Sequence, residues 1–353
     1  MAAQPSGSSH PLDPSFASDN TAGVSPEVLE AIAAVNDGAS GPYGADDASA
    51  ELTEWAKTEF GSQAEIFPVF NGTGANVVAL QALMPRWGAA VCAQQAHVNN
   101  DEGAAPERLG ALKLLPRPTG DGKLTAQDVA AETGALGFVH AAQPLAVTLT
   151  QSTELGTLYT SDELAAVAEA AHEHGMGVHL DGARISNAAA ALGVSLGEAT
   201  AALGVDVLSL GGTKNGAMAA EAVVVINPQA TAGADYIRKF SMQLASKQRF
   251  VAAQLLALFG TDLWRRNAER ANGQAAALGQ QLAQLEGVRL PAEPAVNAVF
   301  CEVPQEVAAR IQARYSAHVW TTAPSGNPVL RLMCSWQTTD DQIAQLTATA
   351  AGE

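Results

Sequence analysis

The sequence predicts an α/β protein in two parts: a large domain on a mostly parallel sheet, then a small α+β domain at the C-terminal end. Three observations carry this expectation. Short apolar, strand-like runs alternate with helical segments from Ile66 to Ile226, the pattern of parallel strands joined by crossover helices. Beyond about residue 240 that rhythm breaks into longer helical stretches and two isolated apolar runs. A chain of 353 residues, 47% hydrophobic and only 16% charged, can bury one large core and a second smaller one. The expected organisation is a flexible tail over 1–16, a large domain over 17–240 and a small domain over 241–353.

Composition also excludes partners. The formal charge is -17, with no run of Lys or Arg, whereas nucleic acid and anionic membranes demand clustered positive charge. Cys92, Cys301 and Cys334 are widely spaced and form no C-x-x-C pair, so neither a zinc site nor a disulfide framework is expected. No apolar run reaches the ~18 residues of a membrane span, and the basic start and apolar stretch of a signal peptide are missing. A cytoplasmic protein is the expectation.

Along the chain, Met1 to Phe16 is rich in Ser, Pro, Gly and Ala without apolar period and reads as a mobile tail. Ser25-Pro26-Glu27 opens a helix, with Ser as the cap and Pro at the first position. Asn36 to Asp47 is a glycine-containing loop bearing Tyr43. Ile66 to Phe70 is a strand, Asn71 to Asn76 a glycine turn and Val77 to Leu83 a helix. That order leaves free N–H groups at a helix start, where a phosphate is held, and Gly72 and Gly74 allow the backbone to come close. The turn is not G-x-G-x-x-G and no Lys follows it, so dinucleotide and P-loop sites are disfavoured.

Ala89 to Ala93 is the next strand, with His97 just past its end, placed to stack on a flat group or to move a proton. Ala146 to Leu149 ends in the polar run Thr150-Gln151-Ser152-Thr153-Glu154. Thr160-Ser161-Asp162-Glu163 is a capping box that starts a helix ending near Gly175. Val178 to Leu180 is a strand, Glu221 to Ile226 another, and helices are predicted over 234–258 and 262–285. In the last part, runs at 299–303 and 329–334 flank a helix over 306–315.

The chemistry concentrates between His179 and Gly216. Asp181 ends one apolar strand and Lys214 lies just past another, Val205 to Leu210. Successive strand ends of a parallel sheet open on the crevice where such sheets bind ligands. An amine and a carboxylate there suit pyridoxal phosphate: the lysine for a Schiff base with its aldehyde, the aspartate to keep the ring nitrogen protonated. His179, two residues before Asp181, shares its side of the strand and is placed to orient the carboxylate.

Six strings in order, Ala17-Ser18-Asp19-Asn20, Phe70-Asn71-Gly72-Thr73-Gly74-Ala75-Asn76, Ala96-His97-Val98, His179 to Arg184, Leu210 to Gly216 and Leu330 to Trp336, resemble the low-specificity L-threonine aldolases. Those are fold type I (aspartate aminotransferase-like) pyridoxal phosphate enzymes of the β-eliminating lyase group. The resemblance implies retro-aldol cleavage of L-threonine, L-allo-threonine and related L-3-hydroxy amino acids to glycine and an aldehyde. It implies Lys214 as the Schiff-base lysine, Asp181 as partner of the ring nitrogen, His97 stacked on the ring and Gly72 and Thr73 on the phosphate. Ser18, Arg184 and Arg331 match the groups that grip the substrate α-carboxylate, for which a forked guanidinium is suited. Arg249, or Lys247, matches a basic residue that reaches the phosphate of a neighbouring subunit, so a homo-oligomer, dimer or tetramer, is implied. Thr213 before the lysine and the Thr150–Glu154 run depart from other branches and bear on substrate preference rather than reaction type. A different fold type I β-eliminating lyase, or a pyridoxal phosphate-binding protein without catalysis, remain as alternatives at this point.

Overall fold

The computed structural model describes residues 12–353, which divide into two compact units. Val24–Arg266 form the larger; the chain up to Gly23 and Asn267–Glu353 form the smaller.

The larger unit is built on seven strands: β1 (Glu65–Val69), β2 (Gly88–Ala93), β3 (Lys113–Arg117), β4 (Gln143–Thr150), β5 (Gly177–Gly182), β6 (Val207–Gly211) and β7 (Glu221–Val225). Their order is β1-β7-β6-β5-β4-β2-β3. From β3 to β6 every pair is parallel; β7 runs antiparallel to both β6 and β1. Strands β2, β6 and β7 are buried along their whole length, because helices cover both faces of such a sheet and their sequences are accordingly mostly apolar, with Ser209 and Glu221 the polar exceptions. Since β1 is reversed twice relative to β6, the carboxyl ends of β1, β2, β4, β5 and β6 all open on the same edge.

The phosphate-type turn is shorter than the sequence predicts. The helix after β1 is Gly72–Leu83, beginning five residues before the expected Val77, because Asn71 caps it by accepting the Gly74 N–H at 2.7 Å. The helix expected over 234–258 is two helices, Ala234–Phe240 and Arg249–Phe259. Between them Met242 adopts a left-handed φ of 61°, and the Ser246 carbonyl is taken by the Tyr43 N–H at 2.9 Å, a bond that a continuous helix could not make.

The smaller unit holds β8 (Ala298–Glu302), β9 (His318–Thr322) and β10 (Pro328–Met333), in the antiparallel order β8-β10-β9, with helices Gln305–Arg314 and Asp340–Ala351. Two expected boundaries shift. The division expected at 240/241 falls at 266/267, inside the Leu263–Leu282 helix: Arg249–Phe259 packs on the Pro26–Ala34 and Asp47–Phe60 helices, and Leu263 and Trp264 join the large core, whereas Ala275, Leu278 and Leu282 join the small one. Nor does order begin at Ala17. Residues 1–11 lie outside the described residues, but Asp13 bridges to Tyr315 and Phe16 is fully buried in the small core, edge-on to Tyr315 with ring centres 5.8 Å apart. Burying one phenylalanine stabilises by roughly 2 kcal/mol, enough to hold a segment that composition alone marks as mobile.

Two glycines let the active edge form. A Cβ on Gly211 would stand 2.6–2.8 Å from the backbone of Ala183, and one on Gly182 would stand 2.7 Å from Leu208 Cδ1 and the Ser209 carbonyl. The turns after β5 and β6 therefore touch through their backbones. Replacing Gly211 by Ala is expected to cost about 1–3 kcal/mol, the usual range for overpacking, and to weaken ligand binding at this edge; denaturant unfolding of the two proteins measures the first.

Candidate active site

Each strand end on the shared edge delivers one component. The β1 exit leads into the capped helix, whose Gly72 and Thr73 N–H groups have no acceptor among the described residues, as the first turn of a helix leaves them. A Cβ on Gly72 would meet no atom within 4 Å, so the turn is open on that side. Gly74 has a different task from the one expected. A Cβ there would lie 2.3–2.7 Å from the side-chain amide of Gln243, whose Oε1 accepts the Phe70 N–H at 3.0 Å. Gly74 makes room for a protein amide.

Asp181 closes β5, paired with Thr150 on β4 and Ser209 on β6. It is 4% exposed. Its Oδ1 accepts the Ala183 N–H at 3.0 Å and its Oδ2 accepts from Asn76 Nδ2 at 2.9 Å. The same Asn76 amide donates to Glu102 Oε1 at 2.7 Å, and Glu102 Oε1 also pairs with His97 Nδ1 at 3.0 Å. His97 is thus fixed through Glu102, while its backbone N–H is held by Glu154 Oε1 at 2.7 Å. The Glu102 hydrogen bond raises His97 above its ordinary value against the pull of burial, with Asp181 adding to the rise and Lys214 opposing it. His97 therefore feels both Asp181 and Lys214, which the two adjoining turns bring to one place. Burial pushes the Glu154 carboxyl up to about 6 and drives Glu102 upward as well.

Lys214 sits in the short turn Thr213–Asn215 that follows β6. Gly216 ends that turn at φ 112°, and Asn215 Nδ2 donates to the Trp264 carbonyl at 2.9 Å. Beneath it, Glu221 Oε2 accepts the Gly212 N–H at 2.8 Å. Burial lifts Glu221 to about 6 while bonds from Thr213 and Gly212 and the charge of Lys214 pull it back.

His179 does not orient Asp181, contrary to the expectation. Its Nδ1 pairs with Thr148 Oγ1 at 2.8 Å and its Nε2 with Ser209 Oγ at 2.9 Å, so the ring is a fully buried pin across β4, β5 and β6, and Asn76 does the orienting. Arg184 begins the Ile185–Leu192 helix directly after the Asp181 turn. Arg249 Nη1 donates to the Gly38 carbonyl at 3.1 Å and less closely to Asp37, which ties it to the loop carrying Tyr43; Lys247 is exposed. In the smaller unit, Ser18 Oγ accepts from the Asn20 N–H at 3.2 Å and the Arg331 guanidinium lies 5.1 Å from the Trp320 ring centre. Asn297 donates to both Asp19 at 3.0 Å and the Cys334 carbonyl at 2.9 Å, linking the Ser18 turn to the end of β10.

Four residues of this site were missed from sequence as functional: Asn76, Glu102, Glu154 and Gln243. The one available signal in the sequence was the presence of polar residues at strand ends or inside an apolar helix.

These residues fit pyridoxal phosphate. Asp181 is a buried carboxylate whose hydrogen-bond donors among the described residues are two neutral N–H groups, so a protonated ring nitrogen supplies a cation in direct contact. Helix N–H groups at the β1 exit would hold the phosphate, and a lysine stands beyond the neighbouring strand. Such an arrangement defines a pyridoxal phosphate site on an aminotransferase-like sheet. Residues 15–306 match the beta-eliminating lyase family model, and the chain belongs to that family. It is 39% identical to the low specificity L-threonine aldolase of Pseudomonas aeruginosa over 94% of this chain and 95% of that protein. Identity to the corresponding enzyme of a Pseudomonas species is 37%, over 94% and 96%. The Leishmania major threonine aldolase structure superposes with a TM-score of 0.88 at 25% identity, covering 94% of this chain and 97% of that one. Sphingomonas wittichii serine palmitoyltransferase shares the fold at 16% identity, TM-score 0.69, over 97% and 86%.

Burial depresses His179 to about 4. An imidazole that stays neutral when folded stabilises fully above its unfolded pKa of about 6.5 and loses that contribution as pH falls toward 4, in all about 3 kcal/mol. The unfolding free energy of His179→Phe should accordingly fall less steeply between pH 6.5 and 4 than that of the parent; chemical denaturation across this window measures it.

Proposed function

We propose that this chain is a pyridoxal phosphate-dependent aldehyde-lyase that cleaves L-threonine, L-allo-threonine and related L-3-hydroxy amino acids to glycine and an aldehyde. The reading is supported by the close backbone approach of the turns that carry Asp181 and Lys214, together with the similarity to threonine aldolases over nearly the whole chain. When bound, the cofactor supplies an electron sink for the pair released as the Cα–Cβ bond breaks.

The chain's residues do the rest. Lys214 Nζ would hold the cofactor through its aldehyde. Asp181, held by Asn76 and the Ala183 N–H, keeps the ring nitrogen protonated. The Gly72 and Thr73 N–H groups bind the phosphate. Arg184, Arg331 and Ser18 would grip the α-carboxylate and so orient the substrate about its Cα. His97 would stack on the cofactor and take the β-hydroxyl proton, a general-base contribution typically of 10²–10⁴-fold.

Active enzyme is a homo-oligomer, a dimer or tetramer, and works in the cytoplasm. Tyr236, Phe240 and Met242, each more than 70% exposed on the Ala234–Phe240 helix and the turn after it, support self-association, as a clustered apolar surface commonly marks an interface. Arg249, with Lys247 as the second choice, then reaches a neighbour's phosphate. No helix among the described residues is long and apolar enough to cross a membrane.

Two measurements test the reading. Purified protein given L-threonine should release acetaldehyde and glycine, and Lys214→Ala should lose turnover together with the visible absorbance of the bound cofactor; pyruvate release instead would place the chain among the other lyases of its family. Asn76→Ala leaves two buried carboxylates without their shared donor, at about 1–3 kcal/mol for each unsatisfied group. It should weaken cofactor retention about tenfold or more in apoenzyme titration, and unchanged affinity would show Asn76 to be dispensable.

A further inference from the structure

Glu102 is the one carboxylate that touches both the imidazole and the amide that orients Asp181. Its side chain is fully buried. A single oxygen, Oε1, receives His97 Nδ1 at 3.0 Å and Asn76 Nδ2 at 2.7 Å, and Asn76 Nδ2 reaches Asp181 Oδ2 at 2.9 Å. His97 Nδ1 is thereby committed to a carboxylate oxygen, which an imidazole satisfies by carrying its proton on that nitrogen. His97 Nε2 has no partner among the described residues.

We propose that Glu102 is a positioning residue that clamps His97 through Nδ1 and Asp181 through the Asn76 amide at once, leaving Nε2 as the nitrogen that takes the β-hydroxyl proton. This rests on the aldolase reading and deepens it. As the Cα–Cβ bond breaks, the hydroxyl proton would pass to Nε2 and the C–O bond become the aldehyde carbonyl, the bound cofactor serving as the sink for the released electron pair. The imidazolium keeps its Nδ1–H on Glu102, whose charge offsets the one gained. The groups facing His97 are Glu102 on its own turn, Glu154 from the end of β4, Asp181 from β5 and Lys214 from beyond β6. Of these, Glu102 bonds the ring itself.

The test is the pH dependence of kcat for threonine cleavage by the holoenzyme. Glu102→Gln removes the charge that holds the imidazole proton, so the acid limb should move about 1 pH unit or more toward lower pH. The plateau kcat should fall about 10-fold or more, part of a general-base contribution of 10²–10⁴-fold, with KM changed little. His97→Asn should abolish the limb. If His97→Asn loses it while Glu102→Gln leaves both limb and plateau unchanged, the role of Glu102 is overturned and the base reading stands. A limb that survives His97→Asn overturns both. Should Glu102→Gln not fold, the ¹⁵N shifts of His97 in parent holoenzyme decide: a proton on Nδ1 above the imidazole pKa supports the clamp, and a proton on Nε2 contradicts it.

Discussion

The site depends on a close approach of two backbone turns. β5 and β6 lie side by side in parallel, and the chain leaving them packs so closely that a Cβ on Gly182 or Gly211 would stand only 2.6–2.8 Å from the facing atoms. A side chain at either position would wedge the turns apart and carry Lys214 away from Asp181. Cofactor chemistry needs both groups within reach of one small ring, so the glycines constrain function before any polar residue is considered.

Charge is the second constraint. Asp181, Glu102, Glu154 and Glu221 are carboxylates buried at one sheet edge, an arrangement that would be strongly unfavourable without compensation. Each is compensated differently. Asp181 and Glu102 share the Asn76 amide, Glu154 takes a backbone N–H and the Thr150 hydroxyl, and Glu221 takes the Gly212 N–H beneath the lysine turn. Three of the four are pushed above the ordinary carboxylate range, chiefly by burial.

Much of this was legible in the sequence. Unbroken valine and alanine runs marked the buried strands, and the alternation with helices marked a parallel sheet. The position of Asp181 at one strand end and Lys214 beyond the next followed from that alternation. What stayed hidden depends on contacts between distant segments. Asn76 lies inside an apolar helix, where asparagine has no local signature for bridging two carboxylates. His179 shares a strand face with Asp181, but the Thr148 and Ser209 hydroxyls on the neighbouring strands claim both its nitrogens. Phe16 follows a serine- and proline-rich stretch, and only the small core explains its order. The break at Met242 is equally non-local, because the carbonyl that ends the helical run is used by the Tyr43 loop.

The central claim is that Lys214 is the amine that holds the cofactor opposite Asp181. Borohydride reduction of the holoenzyme followed by peptide mass spectrometry tests it most directly, since reduction locks the cofactor onto whichever amine bears it. The account predicts one pyridoxyl phosphate adduct per chain, on Lys214. An adduct on Lys239, Lys247 or any other lysine, or none at all, would contradict it.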